Sequence, residues 1–170
     1  MPKAYKITSD PFFVNGSVTE TAADTYTQNE ISLPLDSLNQ EGVLVHAVYW
    51  TTSDSARVPN QLADIRCQLT ATSKTGIIGA NDANLISRRE LAITGGAAEF
   101  SGPHVIDFIG SEAPYQESDN LMLIATDNVF LAIEGRNQTL PRTAQFRMVC
   151  SRVKLDSAAY AALVTNELTS

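Results

Sequence analysis

The sequence contains only two cysteines and two histidines in 170 residues. Cys67 and Cys150 have no close Cys-x-x-Cys partner, so a structural zinc site is not supported. His46 and His104 lie alone in strand-like segments, without the spacing of a metal site. We therefore expect buried free thiols, hydrogen-bonded histidines, and no metal ion or cofactor. A disulfide would require Cα atoms within about 7 Å, which the sequence does not show.

Signatures of the common enzyme classes are also missing. The chain has no Gly-x-Ser-x-Gly elbow, P-loop or Gly-x-Gly-x-x-Gly stretch. Both cysteines fall within predicted strands, away from the helix starts that activate thiolates. Paired carboxylates of a glycosidase need not be close in sequence, so this class stays open. The expectation is that the protein is not an enzyme.

Long hydrophobic runs are absent as well. No stretch approaches the ~18 apolar residues of a transmembrane helix. The start, MPKAYKITSDPFFVNGS, lacks the apolar run of a secretory signal. We expect a soluble protein with no transmembrane segment and no signal peptide.

Charge is sparse and unevenly distributed. The net charge is −7, from 12 bases and 19 acids. The stretch from 135 to 155 contains five bases and no acid, which leaves a net charge of −12 elsewhere. An acidic chain disfavours non-specific binding of nucleic acid. The basic segment 136–154 could form a complementary patch between copies of the chain, or simply a solvated strand face.

Period-two alternation dominates the pattern. It is clearest in LADIRCQLTAT from Leu62 and in TAQFRMVCSRV from Thr143, and it is typical of half-buried antiparallel strands. GVLVHAVYWTT from Gly42 is apolar at nearly every position, with His46 as its only strongly polar side chain. This pattern predicts a central strand that is covered on both faces, or on one face by a neighbouring subunit. Two further apolar runs, 121–125 and 129–133, flank Asp127-Asn128 as in a tight hairpin.

Seven to nine short strands separated by turn signals predict an all-β protein. The expected fold is an antiparallel β-sandwich of jelly-roll type with a short C-terminal α-helix. An immunoglobulin arrangement does not fit, because Trp50 precedes both cysteines. We expect one domain over 1–170, with an N-terminal segment at 1–20, the sandwich at 21–154 and the helix at 156–168.

The helix is predicted from KLDSAAYAALVTNEL, residues 154–168. Asp156 is a good N-cap, and the alanines after it favour helix. Tyr160, Leu163, Val164 and Leu168 form one apolar stripe. About 13 residues are too few for a stable isolated helix. The stripe must therefore dock, either on the chain's own sheet or on a neighbouring copy.

A strand-rich chain of this length that ends RVKLDSAAYAALVTNELTS resembles the single jelly-roll capsid proteins of small icosahedral viruses. The resemblance lies in overall design across most of the chain and implies a coat subunit found in virions. One feature departs from that family. Only Lys3 and Lys6 are basic among the first 50 residues, so a basic arm that neutralises a genome is not expected.

The leading hypothesis is a self-assembling structural protein, a viral capsid subunit that forms an icosahedral shell. Its partners would be other copies of itself and, in some arrangements, a second coat protein. Nucleic acid would be bound only indirectly or through 136–154. The candidate subunit-interface residues are Arg88, Arg89, Arg136, Arg142, Tyr160, Leu163, Val164 and Leu168. The alternative is a β-sandwich module that binds carbohydrate or another ligand through Tyr49, Trp50 and Tyr115.

Overall fold

The computed structural model describes residues 5–95, 104–109 and 121–169. Within these ranges the chain forms ten β-strands and one α-helix. The elements are β1 (Tyr5–Ile7), β2 (Phe12–Thr19), β3 (Thr27–Ser32), β4 (Glu41–Thr52), β5 (Leu62–Thr70), β6 (Leu85–Thr94), β7 (His104–Ile109), β8 (Met122–Ile124), β9 (Asn128–Arg136), β10 (Thr143–Leu155) and α1 (Ser157–Thr169).

The strands form two five-stranded antiparallel sheets. In sheet A, β10 pairs with β1 and β2 on one side and with β4 on the other, and β8 follows β4. In sheet B, the order is β3-β9-β5-β6-β7. Eight strands form four nested pairs: β2 with β10, β3 with β9, β4 with β8, and β5 with β6. A long ribbon folded over two sheets in this way is a jelly roll. The predicted fold class is therefore confirmed.

The core lies between the sheets and is built by the alternating segments. In β5, Ile65, Cys67 and Leu69 are fully buried, and Met148 and Cys150 of β10 enter the same cluster from the opposite sheet. Each fully buried Ile, Leu or Met side chain contributes about 1.5–3 kcal/mol. The period-two pattern therefore sets which face of each strand points inward.

The N-terminal segment belongs to the sandwich. Both β1 and β2 pair with the same edge of β10. Between them, the backbone N–H of Arg152 donates to Ser9 Oγ at 2.8 Å. Pro11, which has no N–H to donate, also lies in this interruption. The sheet thus begins at Tyr5 and not at residue 21, because this segment covers an edge of β10 that would otherwise be unpaired.

The hairpin expected around Asp127-Asn128 is wrong. β8 pairs with β4 in sheet A, whereas β9 pairs with β3 and β5 in sheet B. The short connection therefore crosses from one sheet to the other. A jelly roll requires such crossovers, and two adjacent apolar runs cannot show whether they enter one sheet or two.

Helix α1 docks on its own chain. Its Tyr160, Leu163 and Val164 pack against Leu44 of β4 and Val153 of β10, on the outer face of sheet A. Docking in cis therefore accounts for the apolar stripe. It also explains the central apolar strand β4, which is covered by the core on one face and, around Leu44, by the helix on the other.

Two polar contacts fix the ends of α1. At its start, the backbone N–H of Ala159 donates to Asp156 Oδ1 at 2.7 Å, as expected for the N-cap. Near its end, Glu167 is only 1% exposed. Its two carboxylate oxygens accept the backbone N–H groups of Ala125 and Thr126, each at 3.0 Å. The helix thus satisfies the backbone where the chain leaves sheet A.

Candidate functional site

The outer face of sheet A that α1 leaves uncovered is the most distinctive surface of the described residues. Three strands present their outward side chains there in register: β2, β10 and β4. We call this surface the open patch. Its eight residues are Phe13, Asn15, Ser17, Gln145, Arg147, Val149, Tyr49 and Thr51, and they line a shallow depression of about 970 Å³.

Strand pairing arranges the open patch in rows. Asn15, Arg147 and Tyr49 form the central row across the three strands. Phe13 and Val149 lie on the side nearer the helix, and hydroxyl and amide side chains lie on the other side. Neighbouring strands are about 4.8 Å apart and alternate residues about 6.7 Å apart, so the patch measures roughly 10 by 14 Å.

Arg147 lies at the centre and is oriented by two contacts. Its guanidinium carbon lies 5.4 Å from the centroid of the Phe13 ring. Its Nε donates to Asn15 Oδ1 at 3.3 Å. The aromatic side chains of the patch remain accessible to solvent, since Phe13 is 62% exposed and Tyr49 is 53% exposed. The patch therefore combines a held cation with aromatic faces and planar hydrogen-bonding groups.

Strand β2 supplies three of the eight patch residues but is not predicted from the sequence. Asn15-Gly16 resembles a turn dipeptide, yet it lies within the strand. A Cβ on Gly16 would lie 2.7 Å from Phe146 Cε1, so close packing against the core requires glycine there. The alternation of Phe12, Val14 and Val18 was the available signal for this strand.

The aromatic residues proposed for the ligand-binding alternative lie in different environments. Tyr49 lies in the open patch, as that alternative requires. Trp50 is buried, and its indole N–H donates to Ser87 Oγ at 2.9 Å across the sandwich. Tyr115 lies outside the described residues. Of the two candidates that the structure describes, Tyr49 is displayed on a surface and Trp50 is not.

The four candidate interface arginines have partners inside the chain. Arg88 pairs with Glu90 at 2.7 Å, and Arg89 Nη1 donates to the Trp50 carbonyl at 2.9 Å. Arg136 lies 3.9 Å from Asp64, and Arg142 Nε donates to Gln138 Oε1 at 2.9 Å. The structure does not bring the four into one patch, and their role between subunits stays a prediction.

The four helix residues proposed for the interface belong to one stripe. Tyr160, Leu163 and Val164 are half-buried against the chain's own sheet. Leu168 lies in α1, but its side chain is outside the described part of the structure. Any contact of this stripe with another copy also stays a prediction.

The two cysteines occupy ordinary core positions, and His46 is half-buried. Both thiols are free and buried, as expected. Burial raises the pKa of the Cys150 thiol to about 12, so this group is a poor nucleophile at neutral pH. His46 Nε2 lies 2.9 Å from Ser151 Oγ. The side chain of His104 is outside the described residues.

The outer face of sheet B carries an ionic network. Asp64 is buried and lies 3.3 Å from Arg66 Nε, and Arg66 also binds Glu134 at 2.9 Å. Burial raises the pKa of Asp64, and the positive charge of Arg66 opposes that shift. The network ties β5 to β9 and has little access to solvent at Asp64.

Within residues 5–95, 104–109 and 121–169, no three His, Cys, Asp or Glu side chains are grouped as metal ligands would be. The same ranges contain no helix that is both long and apolar enough to cross a membrane.

Comparison with known proteins gives little further information. No protein-family model matches the sequence, and no curated protein matches it significantly. One similar solved structure is a chain from Desmodium yellow mottle tymovirus, with 10% sequence identity over 90% of this chain and 94% of that one. The TM-score is 0.26, which is too low to assign a shared function.

Proposed function

We propose that this protein is a structural subunit that assembles with copies of itself, and that the assembly is a viral coat. The observation that carries the proposal is the exposure of large apolar side chains at both ends of the sandwich. The coat assignment follows the resemblance of the chain's overall design to single jelly-roll capsid proteins.

Leu38 projects from one end, in the short helical turn before β4, and is 94% exposed. Asp36 holds this turn, because its Oδ1 accepts the Leu38 N–H at 3.1 Å. The local backbone thus holds a large apolar side chain in contact with water. Burial of that side chain against a partner would stabilise the resulting complex.

Leu140 and Leu62 lie at the opposite end and are 64% and 43% exposed. The Asn137 side chain donates to the Leu62 carbonyl at 2.7 Å, so the two segments are adjacent. Strand β4 connects the two ends and has 12 residues. The ends are therefore roughly 35 Å apart.

Apolar contacts at opposite ends favour head-to-tail association, in which different surfaces of two copies meet. Such heterologous contacts close into rings or shells when the rotation between copies allows it. This property is what a coat subunit requires, and a lone monomeric binding module does not need it.

The basic segment 136–154 does not form a single basic surface for a genome. Arg147 lies on the outer face of sheet A, whereas Arg152 lies on the other face of β10 and stacks on Phe12 at 5.7 Å. Strand alternation thus divides the bases of β10 between two faces, while Arg136 lies on β9 in the other sheet. Binding of nucleic acid through 136–154 remains a prediction within this proposal.

Light scattering coupled to size-exclusion chromatography, followed by negative-stain microscopy, tests assembly. Wild type is expected to form defined oligomers or shells at high concentration. Leu38→Ser and Leu140→Ser should each weaken assembly without lowering the melting temperature, since both side chains are exposed. Phe13→Ser is the matched control, because it removes an exposed apolar group away from both ends.

Two results would overturn the proposal or its basis. A protein that stays monomeric at high concentration, across salt and pH, would refute self-assembly. Assembly that is unchanged in the Leu38 and Leu140 variants but lost in the Phe13 variant would place the contacts on the open patch instead of at the ends.

A further inference from the structure

The open patch has a composition that suits a polar ligand better than an apolar one. Of its eight side chains, only Phe13 and Val149 are purely apolar. Protein interfaces are themselves enriched in Arg and aromatic residues, so the polar character of the patch rests on its amide and hydroxyl side chains, those of Asn15, Ser17, Thr51 and Gln145. Here the centre is a charged residue, Arg147, with Asn15 on one side and Tyr49 on the other.

The side chains supply both kinds of contact that a sugar ring needs. The exposed faces of Phe13 and Tyr49 can pack against the C–H face of a pyranose. Amides of Asn15 and Gln145 and the hydroxyl of Thr51 can exchange hydrogen bonds with sugar hydroxyls. A surface of roughly 10 by 14 Å accommodates two or three sugar residues.

Charge then selects among saccharides. Arg147 is the only charged residue of the open patch, and none of the eight is acidic. Its Nε is used by Asn15, and its two terminal nitrogens make no hydrogen bond or ion pair within the described ranges. The Phe13 ring and the Asn15 amide hold the guanidinium in place. Its two terminal nitrogens can then donate in parallel to the two oxygens of a carboxylate.

We propose that the open patch binds a saccharide that carries a carboxylate, with Arg147 on the carboxylate and Tyr49 against a neighbouring sugar ring. This site is separate from the apolar ends that we assign to assembly. The two proposals can therefore fail independently.

Titration calorimetry with 3′-sialyllactose and with trigalacturonate tests the proposal, and lactose and maltotriose serve as neutral probes. Arg147→Gln should weaken binding of an acidic saccharide by about 10- to 100-fold, as expected for losing a charge-assisted hydrogen bond. Tyr49→Ala should weaken binding as well. Arg57→Gln, at an exposed position in the β4–β5 connection, is the matched control and should bind like wild type.

The outcomes separate clearly. Saturable binding of either acidic probe that depends on Arg147 and Tyr49, but not on Arg57, supports the site. Absence of saturable binding, equal binding of neutral and acidic probes, or binding unaffected by Arg147→Gln overturns it. If the Arg147 and Tyr49 variants change the oligomer mass and no saccharide binds, the patch is a protein interface. Unchanged melting temperatures verify that both variants are folded.

Discussion

Replacing Glu167 should detach the end of α1 from sheet A. Glu167 is 1% exposed, and its carboxylate accepts two backbone N–H groups, those of Ala125 and Thr126, at 3.0 Å each. In Glu167→Gln the remaining amide oxygen can accept one of these two N–H groups, but the amide NH₂ group faces the other N–H group and cannot accept from it. One charge-assisted hydrogen bond is lost, and a buried donor is left without an acceptor.

The magnitude follows from those contacts. Hydrogen bonds to charged groups contribute about 1.5–3 kcal/mol, so Glu167→Gln should lower the free energy of unfolding by roughly that amount. For a chain of this length, that corresponds to a melting temperature lower by about 3–12 °C. Glu167→Ala should cost more, about 3–5 kcal/mol, because both donors lose their partner. The loss is limited by the free energy of helix docking, since an undocked helix exposes both N–H groups to water.

Urea unfolding followed by the fluorescence of Trp50, which is buried, measures the free energy. Ala161→Gln places the same side chain on the exposed side of α1 and should cost only a few tenths of a kcal/mol. Hydrogen exchange adds a local readout, because the amides of Ala125 and Thr126 should lose protection in Glu167→Gln. If Glu167→Gln unfolds within about 0.5 kcal/mol of Ala161→Gln and retains that protection, the reasoning is refuted.

Two further predictions concern buried titratable groups. Burial raises the pKa of Asp64 above 3.8, so the folded chain binds this proton more tightly than the unfolded chain does. The stability from this group is present at low pH and is lost as pH rises through the folded pKa. Wild type should therefore gain stability relative to Asp64→Asn as pH falls from 7 toward 4 in urea titrations, and a constant difference would contradict this. Cys67 and Cys150 are buried, and the pKa of Cys150 is about 12, so neither should react with a thiol reagent at pH 8 until the chain is unfolded. Rapid labelling of either thiol in the native protein would contradict that expectation.

Much of the fold could be predicted from the sequence, because strand alternation is a local signal. Strands β4, β5 and β10 are found at the predicted positions, and so is the helix with its Asp156 cap. The errors arose where a local signal had two interpretations. Asn15-Gly16 resembles a turn but lies within β2, where the core leaves no room for a Cβ at Gly16.

The candidate site was much less predictable. Arg147 stood out only as one base in a basic segment, and Tyr49 only as an aromatic beside Trp50. Their neighbour Phe13 is more than 130 residues from Arg147 in the chain, yet its ring lies 5.4 Å from the guanidinium. No local pattern encodes such a contact, because it arises from the pairing of β2 with β10.

The sequence by itself determined the alternating strands, the inward position of both cysteines and a capped helix that had to dock. These properties depend on residues within a few positions of one another. The tertiary structure decided that β8 and β9 enter different sheets and that α1 docks in cis. It also decided which outward side chains meet between β2, β10 and β4. These outcomes depend on contacts between distant segments, such as Glu167 with Ala125, whose free energy exists only once sheet A has formed and α1 has docked on it.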